Sequence, residues 1–162
     1  MPDQVDRIIE QWHTEKPSLD VSPMAIIGRL SRTALVVESR LARTFAQHGL
    51  DAAAFDVLAT LLRSGAPYQI TPFALAREAM ISTSAVAQRL NKLESRGFVV
   101  REANPDDGRG TLVALTDAGK DLIETALPDH LETELAITAA LSSAEQSLLA
   151  QLLQRLSTAA SM

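Results

Sequence analysis

The sequence predicts a mainly α-helical domain carrying one small β-hairpin. Three observations lead there: apolar residues recur at three- and four-residue spacing along most of the chain, capping residues punctuate those runs, and two short β-prone runs, 98–100 and 112–115, flank a turn-rich segment. With 162 residues and 46% hydrophobic content the chain can bury one core and is too short for two ordinary domains.

Residues 3–15 place Val5, Ile8, Ile9 and Trp12 on one face of a short helix that must end before Pro17, because a proline disfavours a helical residue ahead of it. Ser22 reads as a cap and Pro23 as the first residue of a long helix running to Gly49, with Ile26, Leu30, Val37, Leu41 and Phe45 near its apolar face. Arg29, Arg32, Arg40 and Arg43 make that helix locally basic; a solvated face accounts for them, as does contact with phosphates or a partner subunit. Asp51 caps a third helix over 52–64, ended by Gly65, with Phe55, Leu58, Ala59 and Leu62 as core residues. Towards the other end, Thr116 caps a helix from Asp117, Pro128 is expected to kink or restart it, and Ser142-x-x-Glu145 is a capping box opening the last helix. Leu148, Leu149, Leu152, Leu153 and Leu156 form a broad apolar stripe there, which points to burial against a second subunit.

The centre of the chain is the most informative stretch. Thr71 and Pro72 open a short helix with Phe73, Leu75, Ala76 and Ala79 as its apolar residues. After a turn, residues 82–96 form a longer amphipathic helix, with Ser82 or Thr83 able to cap it and Gly97 to stop it. Val86, Leu90 and Leu93 make one apolar stripe, whereas Ser84, Gln88, Arg89, Lys92 and Arg96 fall largely elsewhere and leave a face rich in hydrogen-bond donors. A short capped helix, a turn and a longer amphipathic helix match a helix-turn-helix, whose second helix enters the major groove. The hairpin that follows has a turn-rich tip at 104–110 carrying Arg109. DNA contacts are therefore predicted at Ser82, Thr83, Ser84, Gln88, Arg89 and Lys92 on the helix and at Arg109 on the wing, where an arginine meets backbone or minor groove.

The run DDGRGTLVALTDAGKDLI resembles the wing signature of the MarR family of winged-helix transcription regulators: an acidic residue, an arginine two places on, and a V-x-L-T-x-x-G tail. Asp107, Arg109, Val113, Leu115, Thr116 and Gly119 fall on that pattern, and Gly108 departs from it, standing where many relatives carry a second arginine. The resemblance implies a single domain over 1–162, with a DNA-binding lobe at 50–116 and the helices of 1–49 and 117–162 forming the interface of a homodimer. The runs WHTEKPSLDVSPMAIIGRL and FDVLATLLRSGAPYQITP narrow it, being similar to the urate-responsive, PecS-like branch, which adds an N-terminal helix carrying a tryptophan. In that branch a tryptophan, an aspartate and an arginine seven residues later surround the ligand, and an arginine of the recognition helix relays the change. Trp12, Asp56, Arg63 and Arg89 occupy the matching positions, and the likeness thins beyond about residue 125.

The residue types suit that assignment. Urate and related oxidised purines are flat, hydrogen-bonding and often anionic, so they call for an aromatic surface, which Trp12 can supply, and a planar cation, which Arg63 can supply. Asp56 is a poor partner for an anion, so an arriving negative charge raises the cost of keeping the carboxylate in place. Asp56 and Arg63 lie two helical turns apart, roughly 10 Å along the axis, too far for a tight direct pair. By residue type alone Trp12 reads as a packing residue, Asp56 and Arg63 as separate charges and Arg89 as a phosphate contact; the resemblance is what links them to an effector.

A net charge of −5 does not oppose DNA binding once it is resolved along the chain. Residues 113–162 hold two basic and seven acidic side chains, whereas residues 74–112 hold six basic and five acidic ones. Phosphate affinity follows local Lys and Arg, so the overall balance argues only against indiscriminate polyanion binding. With no cysteine, disulfides and zinc–cysteine sites are excluded, and His13, His48 and His130 lack metal-ligand spacing. No nucleophile motif, phosphate-cradling glycine loop or histidine–carboxylate array points to an enzyme. The expectation is a cytoplasmic homodimer without cofactor, metal or membrane association, which binds a pseudo-palindromic double-stranded operator as a repressor and is released by urate or a related aromatic anion. The alternatives are a winged-helix protein-interaction module and a regulator answering to a phenolic or other organic anion.

Overall fold

The computed structural model describes residues 2–79, 83–105 and 110–161. Contacts divide the chain into two units, Met1–Arg40 and Leu41–Met162.

The first unit contains α1 (Gln4–Glu15) and most of α2 (Ser22–Gln47). Asp3 caps α1 by accepting the amides of Val5 and Asp6 at 2.7 and 2.9 Å, and Asp6 accepts the amide of Asp3 at 2.9 Å, completing a reciprocal box. Those backbone donors, with Arg29 behind them, hold both carboxyls below their ordinary value of 3.8. Arg29 reaches from α2 to both, with Nε 2.8 Å from Asp3 and Nη2 2.5 Å from Asp6. Val5 is buried against α2 at Gly28, where an added Cβ would stand 3.2 Å from Val5 Cγ1. The start of α2 differs from expectation by one residue: Ser22 is already helical, and the Asp20 carboxylate accepts its amide at 2.9 Å.

The second unit holds the end of α2, then α3 (Ala52–Arg63), β1 (Gln69–Ile70), α4 (Pro72–Glu78), α5 (Thr83–Ser95), β2 (Val99–Ala103), β3 (Thr111–Leu115), α6 (Asp117–Thr138) and α7 (Ser143–Ala160). Its core is centred on α3, which packs on α4, α5, α6 and β3 and contributes the fully buried Val57, Leu58 and Leu61. Leu75 of α4, Leu93 of α5, Val113 of β3 and Ile123 of α6 meet them. The sheet has three strands in the order β1-β3-β2, both pairs antiparallel. The hairpin β2–β3 is as expected, with Val99 opposite Leu115 and Ala103 opposite Thr111, but β1 was not foreseen. A two-residue strand has no periodicity of its own; Gln69 and Ile70 are strand because Ala114 and Val113 pair with them.

Two further differences concern α4 and α6. Phe73, expected on the apolar face of α4, is 78% exposed, and Leu75 alone on that helix is fully buried. Helix α6 continues through Pro128 without a restart. Side chains just beyond it are tied to neighbours: His130 stacks on Phe45 and lies tilted against Phe55 at centroid distances of 5.5 and 4.6 Å, Asp129 meets His48 at 2.8 Å, and Thr133 bonds Thr44 at 2.8 Å. On α7 the Ser142–Glu145 box forms as expected, the Ser142 hydroxyl and amide lowering the Glu145 carboxyl, and no residue of the helix is buried within its own unit.

The glycine that ends the V-x-L-T-x-x-G run has a steric origin. A Cβ on Gly119 would lie 1.9 Å from the carbonyl oxygen of Phe98 and 2.8 Å from its carbon, so the first turn of α6 sits directly on the backbone leading into β2. Thr116 closes the same corner, donating to the Gly97 carbonyl at 2.7 Å while accepting the Gly119 amide at 3.0 Å. Gly119→Ala is expected to destabilise the fold by about 1–3 kcal/mol, as overpacking of a closed contact does. Urea unfolding measures this, and an unchanged midpoint would contradict the packing described.

Candidate DNA-reading helix and effector residues

Helix α5 presents three sectors, set by 3.6 residues per turn. Val86, Leu90 and Leu93 face the core and are almost completely buried. Ser84, Gln88 and Lys92 are exposed on the opposite sector. Between these lie two flanks, and each is tied to another element by an arginine.

On one flank Arg89, mostly buried, places Nε 3.1 Å from Asp51 Oδ1. That N–H makes no aligned hydrogen bond, so the contact is an ion pair carried by charge. The same Asp51 oxygen caps α3 by accepting the Ala54 amide at 2.9 Å. On the other flank Arg101 of β2 donates to Glu94 through Nη1 and to Asn91 Oδ1 through Nη2, the latter at 2.8 Å. At the end of α5, Arg96 donates to the Gly49 carbonyl at 2.8 Å and covers the Phe98 ring at 4.8 Å. The partners Asp51, Asn91, Glu94, Arg101 and Gly49 were not anticipated. Asp51 was legible only as a cap, because nothing in linear spacing joins it to a residue 38 positions away.

The residues assigned to DNA divide accordingly. Ser84, Gln88 and Lys92 stand outward on α5, whereas Arg89 is engaged with Asp51. Thr83 begins the helix, and Ser82, Met80, Ile81 and the wing residues 106–109, Arg109 and Asp107 among them, lie outside the described residues.

The residues assigned to the effector fall in both units. Trp12 belongs to the first, where its indole is 40% exposed beside an open space of about 530 Å³ shared with Gln11, Thr14 and Glu15. Asp56 and Arg63 belong to the second, both on α3, the former half-buried and the latter exposed. The guanidinium of Arg63 donates to the carbonyl of Glu78, the last residue of α4. Helix α3 is thus attached to the helix-turn-helix at both ends: through Asp51 to Arg89 of α5, and through Arg63 to the end of α4. Among the described residues no group of His, Cys, Asp and Glu could hold a metal ion, and no helix is long and apolar enough to cross a membrane.

A short capped helix, an amphipathic helix with a polar outer sector, and a three-stranded wing sheet define a winged helix-turn-helix, a DNA-binding class. Comparison with known proteins gives the family. Residues 48–110 match the sequence profile of the MarR family. The chain is 40% identical over 152 residues to the HTH-type transcriptional regulator PecS of Dickeya dadantii (strain 3937), spanning 94% of this chain and 92% of that protein. Its fold is similar, at a TM-score of 0.73 and 27% identity, to a MarR variant from Escherichia coli complexed with operator DNA, over 86% of this chain and 99% of that one. It is also similar, at 0.72 and 25%, over 79% and 89%, to BpsR of Bordetella bronchiseptica, whose DNA binding is regulated by 6-hydroxynicotinic acid. The chain belongs to the MarR family of winged helix-turn-helix transcriptional regulators. It is a DNA-binding regulator and not an enzyme.

Proposed function

We propose that the chain is a homodimeric repressor, released from its operator by urate or a closely related planar anion. The observation that carries this reading is the attachment of α3 at both ends to the helix-turn-helix. An anion that takes the Arg63 guanidinium exchanges its exposed bond to the Glu78 carbonyl, which water replaces, for a charge-assisted bond to the ligand; this step binds the effector and does not by itself free the recognition helix. The same negative charge is unfavourable beside the Asp56 carboxylate, so it displaces α3, and the Asp51–Arg89 pair passes that displacement to α5. Likeness to PecS over nearly the whole chain supports the tryptophan, aspartate and arginine assignment, and the regulation of BpsR by a flat heteroaromatic acid supports the ligand class.

Dimerisation is supported by α7, where Leu148, Leu149, Leu152 and Leu153 are 41–56% exposed, and by Leu131 and Leu135 of α6, also exposed. A leucine stripe of this size is uncommon on a surface that stays in water. The dimer sets two recognition helices roughly 34–36 Å apart, one turn of B-DNA.

The test is a gel shift on the promoter region adjoining the gene, titrated with urate, xanthine, hypoxanthine, salicylate and 6-hydroxynicotinate, with thermal melting in parallel. Urate or xanthine is expected to release the DNA and raise the melting temperature. Release by salicylate or 6-hydroxynicotinate alone would transfer the site to a phenolic or pyridine acid. No shift with any duplex would favour a protein-interaction module.

A further inference from the structure

We propose that Arg101 is a positioning residue for sequence readout: it locks the flank of the recognition helix to the wing strand, fixing the angle at which Gln88 and Lys92 meet base edges. Arg101 lies on β2 in register with Val113 and shares the core-facing side of that strand with the buried Val99. From this rigid base its guanidinium fork takes two residues of α5 at once, Glu94 and Asn91, which are three apart and therefore neighbours on one helix face. Gln88 lies one further step along the same row, so the clamp is in line with the reading surface. A planar fork with two fixed donors sets both the rotation and the axial position of the helix, which a point charge cannot do.

The Arg89–Asp51 pair holds the opposite flank to α3, so α5 is braced on both sides. The brace on the wing side differs in one respect: it ties two parts of the DNA-reading surface to each other. Arg101 and Glu94 neutralise one another, and both side chains are only about one third exposed. The guanidinium is committed to the protein, and its contribution to DNA binding is therefore geometric.

This separates Arg101 from a phosphate contact in measurable ways. Losing a phosphate contact weakens specific and unrelated duplexes alike and lowers the slope of log affinity against log salt by about 0.9. Losing the clamp lowers discrimination between operator and unrelated DNA and leaves that slope unchanged. Arg101→Met, Arg101→Lys and Glu94→Gln are compared in gel shifts on both duplexes at several salt concentrations. All three are expected to reduce the operator-to-unrelated affinity ratio about tenfold at an unaltered slope. The pair Arg101→Met with Glu94→Gln is expected to be no worse than the weaker single variant, since both remove one interaction. Arg101→Lys keeps the charge and loses the fork, so retained discrimination in that variant would overturn the proposal. It would equally be overturned if Glu94→Gln bound operator as tightly as the parent or tighter, or if Arg101→Met weakened both duplexes equally with a reduced slope. Glu94→Gln alters only a partly exposed side chain on a helix surface, so the test does not depend on the arginine variants folding.

Discussion

Replacing Arg63 by alanine will raise the urate concentration needed for release from operator by roughly ten- to a hundredfold, while affinity for operator without ligand stays within a few-fold of the parent. The size follows from a charge-assisted hydrogen bond contributing about 1.5–3 kcal/mol, at 1.4 kcal/mol per factor of ten. The modest effect without ligand follows from the site: Arg63 is exposed, and its bond to the Glu78 carbonyl is one that water can replace. Trp12→Ala is expected to act in the same direction, since it removes aromatic surface from the ligand alone. Asp56→Asn separates binding from response. It keeps the side chain's shape and removes the charge that an anion repels, so urate still binds but the operator is no longer released. Calorimetry reports binding and a gel-shift titration reports release. Parent-like responses in all three variants would remove the mechanism, and an absence of both heat and release at millimolar urate in the parent would remove the ligand.

Deleting residues 143–162 will abolish the dimer and weaken operator binding by about a hundredfold or more, towards the range of non-specific association. Helix α7 contributes no buried residue to its own unit, so its loss removes no part of the core around α3. The shortened chain is therefore expected to keep its helical content and a cooperative unfolding transition while running as a monomer by light scattering. One half-site then supplies only part of the contacts that a two-fold operator offers. Leu152→Glu places a charge in the same stripe without shortening the chain and is expected to give the same result. A monodisperse dimer that still bound operator tightly after either change would place the interface elsewhere.

What the sequence by itself determined about this protein is the set of elements whose causes are local. The caps Asp3, Asp51, Thr71, Thr116 and Ser142 each satisfy amides within three residues of themselves, and the stripe Val86, Leu90, Leu93 needs only helical spacing to be seen. The recognition helix and hairpin were legible for that reason. So was the polar sector of Ser84, Gln88 and Lys92. Tertiary structure alone decided what depends on atoms far apart in the chain. Strand β1 exists through its pairing with β3, α6 continues through Pro128 among contacts from α2 and α3, and Gly119 is required by the carbonyl of Phe98. The same holds for the cations of the DNA-reading lobe. The positions of Arg89 and Arg96 along the recognition helix could be read in advance, whereas Arg101 lay beyond the strand expected at 98–100; the packed fold turns Arg89 to Asp51, Arg96 to the Gly49 carbonyl and Arg101 to Glu94 and Asn91. Linear spacing records where an arginine is attached; only the packed fold brings a carboxylate or carbonyl within reach of its guanidinium, and that proximity separates the arginines bracing the helix from the polar side chains on its outward sector.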